Sequence, residues 1–525
     1  MILLTGLGYF VFPGHTYLQA DTQIYVPMME RINNPSLFYD DPMIKRPYLA
    51  LTAYDEITLA LRNYAGLNFE NGLKLQQVVF RAFAAAGLLL IGLRLGLAPP
   101  GAFFLAAVVI LNASGITEPE PIPRSFAIGL LLLGVGLAVH DRFAWAGIAA
   151  ALGLLIHVTT SGPFWAVAIF VVLRRAARPI LLVPLLPAAG VLLLLMHLQT
   201  GTTEPLDFLR RLDPFQQALQ RQYSYEAYVS EWDAKRILDG IFESAAMAAG
   251  FWRLRGRLQP PLREWLWGFA ALGILIVPFS WIVLDRLHWA LASPWQPTRA
   301  TVFITLLEVF FSVVCGVFAS REGRWWEAAV WFGIVLALPV KDHLATWFVN
   351  PWLIALVCAL VVASVAAGWL ASRTRGLTLV AAGVLPFIAF PASRLLPPPH
   401  IVDTPELRQL AEWARAATDE STVFLFADEG RYGGSGPFRA RALRSIYVDY
   451  EGRALTNYYP EFSADWMQRW RDVHEGLWHV GPEQFQELAE LKINFVVLRA
   501  EHAIPTKHPE FSNSQYVVYR VLSSF

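Results

Sequence analysis

Charge is what this sequence has little of. Only 16% of its 525 residues are Asp, Glu, Lys or Arg, against roughly 25% in a soluble domain. The 42 basic and 42 acidic residues cancel, so the chain carries no electrostatic footprint for nucleic acid. Cysteine is nearly absent. Cys315 and Cys358 both lie inside apolar runs, which argues against a disulfide framework or a thiolate metal site. The first apolar run, MILLTGLGYFVFPG, has neither a basic leader nor a small-residue cleavage site, and is read as a short span rather than a cleaved signal peptide. No strand–GxGxxG–helix unit is legible, so a nucleotide-phosphate site is not indicated, and RYGGSGPF is read as a flexible loop. No solenoid-period repeat and no duplicated hydropathy between the halves is evident, which counts against an inverted-repeat transporter.

What is abundant is apolar surface: 55% of residues are hydrophobic and the mean hydropathy is +0.42. Apolar runs recur from the N-terminus to about Pro391, most of them about 15 to 22 residues long, near the length that spans a bilayer. Lipid offers no partners to backbone N–H and C=O groups, so such runs are expected to be helices. The expected fold is therefore a polytopic α-helical membrane protein of about 13 transmembrane helices. They are placed at 1–13, 73–93, 101–113, 125–139, 143–157, 163–173, 179–197, 237–252, 265–284, 301–319, 326–340, 351–371 and 377–391. The segment ILDGIFESAAMAAGFW, 237–252, is only moderately apolar. Taking it as a crossing puts Arg253, Arg255, Arg257 and Arg263 on the cytoplasmic side, as the positive-inside rule prefers. With the N-terminus inside, the short inner loops then hold about thirteen Arg or Lys and the short outer ones about four. The outer loops are 14–72, 114–124 and 198–236, followed by two shorter ones ahead of the late spans.

Beyond SRLLPPPH the composition turns polar. TPELRQLAEWARAAT has Thr404 as N-cap and Pro405 at the first helical position. TVFLFAD, RSIYVDY, INFVVLR and YVVYRVL read as strands. The expected organisation is a transmembrane domain, 1–395, and a small extracytoplasmic α/β domain, 396–525.

This threading gathers the informative charges on one side. Asp21 in YLQADTQIYVP and Asp40 and Asp41 in FYDDP fall in the first outer loop, and Glu118 and Glu120 in the second. His15, His157, Arg299, Lys341 and His343 lie at the same level. Acids and cations at an outer interface suit one chemistry, transfer of a sugar from a polyprenyl phosphate. A carboxylate takes the acceptor proton, worth about 10² to 10⁴ in rate. An arginine fork holds the departing phosphate.

The run HTYLQADTQIYVPMMERINNPSLFYDDPM has an acid in the first outer loop after a short span, then a P-S-L-F-x-x-D turn. PIPRSFAIGLLLLGVGLAVHDRFAWAGIAAALGLLIHVTTSGPF has an Arg-led span, a basic turn and a span ending in L-I-H, and WQPTRA precedes a late span. Together with the C-terminal TPELRQLAEWARAATDESTVFLF, these resemble the GT-C superfamily of integral-membrane glycosyltransferases. The resemblance implies a polyprenyl-phosphate-linked sugar donor, a membrane-lipid partner, an extracytoplasmic acceptor, an inverting transfer and a bacterial inner-membrane setting. It implies Asp21 as the catalytic acid, with Asp40 or Asp41 in support. Glu118 or Glu120 would be the second-loop acid that some members use for metal or acceptor, so a divalent metal stays open, and Arg299 would contact lipid phosphate. His15, His157, Lys341 and His343 join the substrate-binding candidates by position. The Trp-Trp-Asp signature of oligosaccharyltransferases is missing, which puts transfer to asparagine in doubt.

Plainer readings stand beside these. Asp21 is also placed to be a helix cap or a solvated acid, and Asp40 and Asp41 sit in a good turn sequence. His157 suits a hydrogen-bonded core position, and Arg299 an interfacial snorkelling one. A transporter or flippase of a lipid-linked or amphipathic substrate is the competing function, with the mid-span acids Glu243 and Glu308 as its candidates.

Overall fold

Lipid-facing backbone must satisfy its own hydrogen bonds, and each of the thirteen predicted apolar segments coincides with a helix in the computed structural model. The structure describes all residues except 46–51, 113–117, 199–209, 338–349, 396–400, 431–432, 475–479 and 522–525. Among the described residues, four helices are long and apolar enough to cross a membrane: Phe69–Arg94, Leu262–Arg286, Ala292–Arg321 and Pro351–Leu370. Eight shorter apolar helices accompany them. The segment at 237–252 lies within the amphipathic helix Ala234–Leu254. The protein is a helical membrane protein with a small C-terminal sheet. Four of the expected crossings have full spanning length, and the number thirteen remains the sequence's expectation.

Two ends of the helical domain are chemically distinct. At one, the basic turns pair with a few acids: Arg253 with Glu322 and Glu327, Arg257 with Glu322, and Arg324 with Glu327. The helix Ala234–Leu254 starts beside the cavity described below, with Arg236, and ends in this ion network, with Arg253. The helices Phe69–Arg94 and Pro123–Ala138 meet backbone to backbone, because a Cβ on Gly87 would stand 2.3 Å from the Leu132 carbonyl oxygen and one on Gly129 2.3 Å from that of Phe80. Small residues permit this approach in apolar helix pairs.

The segments expected as outer loops are not all irregular. Residues 14–72 hold two helices, Thr22–Asn33 and Tyr54–Ala65. The turn expected between the spans at 143–157 and 163–173 is a single extended residue, His157, joining Phe143–Ile156 to Val158–Leu173. RYGGSGPF is not simply a loop, since Ser435 begins a helix that runs to Ala442.

The C-terminal sheet has the order β2-β1-β3-β5-β4. β1 (Val423–Phe426) pairs parallel with β2 (Ser445–Ile446) and β3 (Phe495–Arg499). β5 (Tyr516–Arg520) runs antiparallel to β3 and to β4 (Phe511–Ser512). Helix Pro405–Ala417, with Thr404 capping Leu407 N–H at 3.2 Å, buries Leu407, Leu410 and Ala414 against one face. The domain docks on the first loop through a buried ion triad. Arg439 Nε lies 2.6 Å from Asp41 Oδ2, and its Nη1 lies 2.8 Å from Asp449 Oδ2.

Candidate active site

Asp21 stands at the N-terminus of the helix Thr22–Asn33, yet its side chain makes no capping hydrogen bond. The helix-cap reading therefore fails. Its carbonyl oxygen accepts from Ile24 N–H at 2.9 Å and Tyr25 N–H at 3.1 Å, which leaves the carboxylate for other work. The helix forms despite Pro27 because Ile24, Tyr25, Met28 and Met29 bury against the surrounding helices. The preceding turn is tied to the first residue of the helix. Leu18 has φ +57° and donates its N–H to Thr22 Oγ1 at 2.8 Å.

Asp21 lines a cavity together with Tyr25, Arg124, His157, Arg299 and, from the C-terminal domain, Leu455. With its mouth this cavity holds about 490 Å³ of unfilled space. A second, of about 860 Å³, shares Arg124 and Arg299 and adds Glu118, Thr160, Arg236 and apolar residues such as Phe303. The two arginines thus stand between an acid-bearing chamber and a more apolar one. Arg124 is fixed by Glu118, 2.6 Å from its Nη2. Burial works against its charge, but the Glu118 and Asp21 carboxylates outweigh this and raise its pKa. Arg299, in the short 3₁₀ turn Pro297–Thr301, is exposed, and no carboxylate among the described residues pairs with it. His157 Nδ1 lies 2.8 Å from Thr160 Oγ1, so the ring is a hydrogen-bonded cap that also faces the chamber. Glu243 accepts from Thr305 Oγ1 at 2.6 Å, and Thr305 lines the second cavity.

Of the residues singled out by sequence, Asp21, His157 and Arg299 converge on one cavity, and Glu118 reaches its neighbour. The others go elsewhere. Glu120 lies behind the Asp21 turn, 4% exposed, and its Oε1 accepts from Gln19 N–H at 2.9 Å, Ala20 N–H at 3.0 Å and the Thr22 hydroxyl. Burial pushes its pKa up to about 7, against the pull of those donors. His15 is exposed and stacks on Tyr9 with ring centroids 4.4 Å apart. Asp40 is exposed beside Lys45 at 3.9 Å. Asp41, expected as a supporting acid, is fully buried. Besides Arg439 it accepts from Met43, Ile44 and Ile446 N–H groups, so its oxygens are spent on holding two domains together. Neither Asp40 nor Asp41 lines the Asp21 cavity. Lys341 and His343 lie outside the described residues. Among the described residues no group of three His, Cys, Asp or Glu side chains is placed to hold a metal ion. Glu118 is committed to Arg124 and Glu120 to the loop.

Sequence reasoning missed Arg124 and Arg236. A signal for the first was present: Arg124 is among the few cations that the topology leaves in a short outer loop, where the positive-inside rule disfavours them.

No family model and no curated protein matches the sequence. Among solved structures, the chain is similar to ArnT from Cupriavidus metallidurans bound to undecaprenyl phosphate, with 13% identity over 100% of this chain and 96% of that one and a TM-score of 0.47. It is also similar to the arabinofuranosyltransferase AftD from Mycobacteria, with 14% identity and a TM-score of 0.48. That match covers 99% of this chain and 41% of the longer protein.

Proposed function

We propose that the protein is a membrane glycosyltransferase that moves a sugar from a polyprenyl-phosphate carrier to an acceptor hydroxyl, with Asp21 as general base. One observation carries the reading: an acid free of capping bonds and two arginines line a single chamber beside a more apolar one. The acceptor oxygen attacks the anomeric carbon from the face opposite the phosphate. Its proton passes to the Asp21 carboxylate, the bond from the anomeric carbon to the phosphate oxygen breaks, and the lipid phosphate leaves with that electron pair. The leaving group gains charge as the bond stretches, so cations placed at its oxygens favour the transition state. Arg124 and Arg299 take this role, and the second cavity receives the phosphate end of the isoprenoid. His157 and Tyr25 shape the sugar pocket. In this reading the C-terminal domain closes the chamber with Leu455 on the acceptor side, and domain and acceptor both lie in the extracytoplasmic space.

The test uses the purified full chain with a panel of radiolabelled polyprenyl-phosphate monosaccharides and envelope-derived acceptors, reading release of polyprenyl phosphate. Asp21→Asn is expected to lose about 10² to 10⁴ in kcat. A folded Asp21→Asn protein that works at the parental rate would remove the base from the mechanism. Protein-dependent movement of intact lipid-linked sugar across vesicles, with no cleavage, would favour the transport reading and turn attention to Glu243.

A further inference from the structure

We infer that Glu120 is a positioning residue: it is the post around which the Asp21 turn is wound, and it touches neither acceptor nor metal. This rests on the glycosyltransferase reading for its kinetic consequence, but not for its structural one.

The geometry is specific. One carboxylate oxygen takes three donors, and all three come from residues 19, 20 and 22, the immediate flanks of Asp21. The other oxygen is buried and meets no hydrogen-bond partner among the described residues. Glu120 lines neither the Asp21 cavity nor the one beside it.

The post itself is rigid. Pro119, Pro121 and Pro123 surround it. The Pro119 carbonyl accepts from Thr16 N–H at 2.9 Å and Gln77 Nε2 at 2.7 Å, and the Pro121 carbonyl accepts from the Tyr54 hydroxyl at 2.8 Å. Arg81 Nη2 donates to the Glu118 carbonyl at 2.8 Å. The turn, by contrast, needs support, since Leu18 sits at φ +57°, a left-handed conformation that a branched side chain resists. Removing the post frees Gln19 and Ala20 N–H together, and the turn relaxes toward ordinary backbone angles. Asp21 moves with it, and a displacement of about 1 Å at a reacting group can cost about 10²-fold in rate.

The experiment compares Glu120→Ala, Glu120→Gln and Asp21→Asn in the full-length protein. Two readouts are taken: kcat and KM for a polyprenyl-phosphate sugar, and hydrogen exchange of the peptide spanning 16–22. Glutamine keeps one acceptor oxygen for all three donors. Glu120→Ala is expected to lose about 10²-fold in kcat with little change in KM, and to exchange rapidly at 16–22. Glu120→Gln is expected to recover most of the rate and the protection. A Glu120→Gln protein as slow as Asp21→Asn but with parental protection would overturn the inference and make Glu120 a chemical group. If the parent transfers no sugar, the functional proposal fails and exchange alone decides. Unchanged protection in Glu120→Ala would then overturn the inference.

Discussion

A carboxyl group buried without a cation holds its proton to high pH, and this protein has several such groups outside its spans. Burial pushes Glu429 up to about 8, even though Ser435 and Gly434 donate to it, and Asp449 adds to the rise. Glu120 reaches about 7, and Asp55, beside Glu56, about 9. The sign follows from linkage. A carboxyl whose folded pKa lies above its unfolded value contributes stability below the unfolded pKa and loses it as pH rises through the folded one, by about 1.4 kcal/mol per unit. For Glu429 the window runs from about 4.5 to about 8. Glu429→Gln keeps an acceptor for both amides and removes the cost of ionising. Its melting temperature in detergent is expected to match the parent's near pH 4, to exceed it increasingly up to about pH 8, and to hold that lead above it. A difference that shrinks with rising pH would contradict this. Legibility at this scale is uneven. That Asp21 and Arg299 share a cavity could be anticipated, because the expected topology puts both charges on one side. Asp41 could not be told from a reacting acid, because its partner Arg439 lies some four hundred residues along the chain.

At the scale of elements, hydropathy located the apolar helices well, since lipid leaves the backbone no alternative. It did not find Thr22–Asn33, where Pro27 and polar residues hide a helix that tertiary burial enforces. Nor did it find Ser435–Ala442, whose glycine-rich approach looks like a loop until the Glu429 carboxylate is seen filling its N-terminus. The helix pair Phe69–Arg94 and Pro123–Ala138 matters most for the site. The first carries Gln77 and Arg81, which grip the second loop, and the second begins at Pro123 with Arg124 next to it. Gly129→Leu forces these backbones apart, and overpacking of this kind typically costs about 1 to 3 kcal/mol. Because Arg124 moves with its helix, the variant is expected to lower the melting temperature and to weaken donor binding together. Parental values of both would show that the close approach is dispensable.

For the whole molecule, the C-terminal domain contributes to the walls of the Asp21 cavity. Its Leu455 lines the Asp21 cavity, Asn457 Nδ2 donates to Ser224 Oγ at 2.9 Å, and Val402 N–H donates to Gln19 at 2.6 Å, beside the Asp21 turn. The Asp41–Arg439–Asp449 triad, at most 2% exposed at each side chain, fastens domain to domain. Replacing one member strands buried charge and typically costs about 3 to 5 kcal/mol. Arg439→Met should therefore release the domain, seen as an earlier, separate unfolding step and faster proteolysis within 396–525. A single parental transition would refute the coupling. The composition change marked this domain but not its packing against the Asp21 turn, since the contacts that hold it there join residues far apart in the chain.

The proposed grip of Arg124 and Arg299 on a lipid phosphate beside Asp21 is the contact on which the transfer depends. Its most direct measurement is polyprenyl phosphate binding, by native mass spectrometry, to the parent and to the Arg124→Ala/Arg299→Ala protein. Hydrogen bonds to charged groups are worth about 1.5 to 3 kcal/mol each, so the double variant is predicted to bind at least about tenfold more weakly while remaining folded. Equal binding by both proteins would contradict the account.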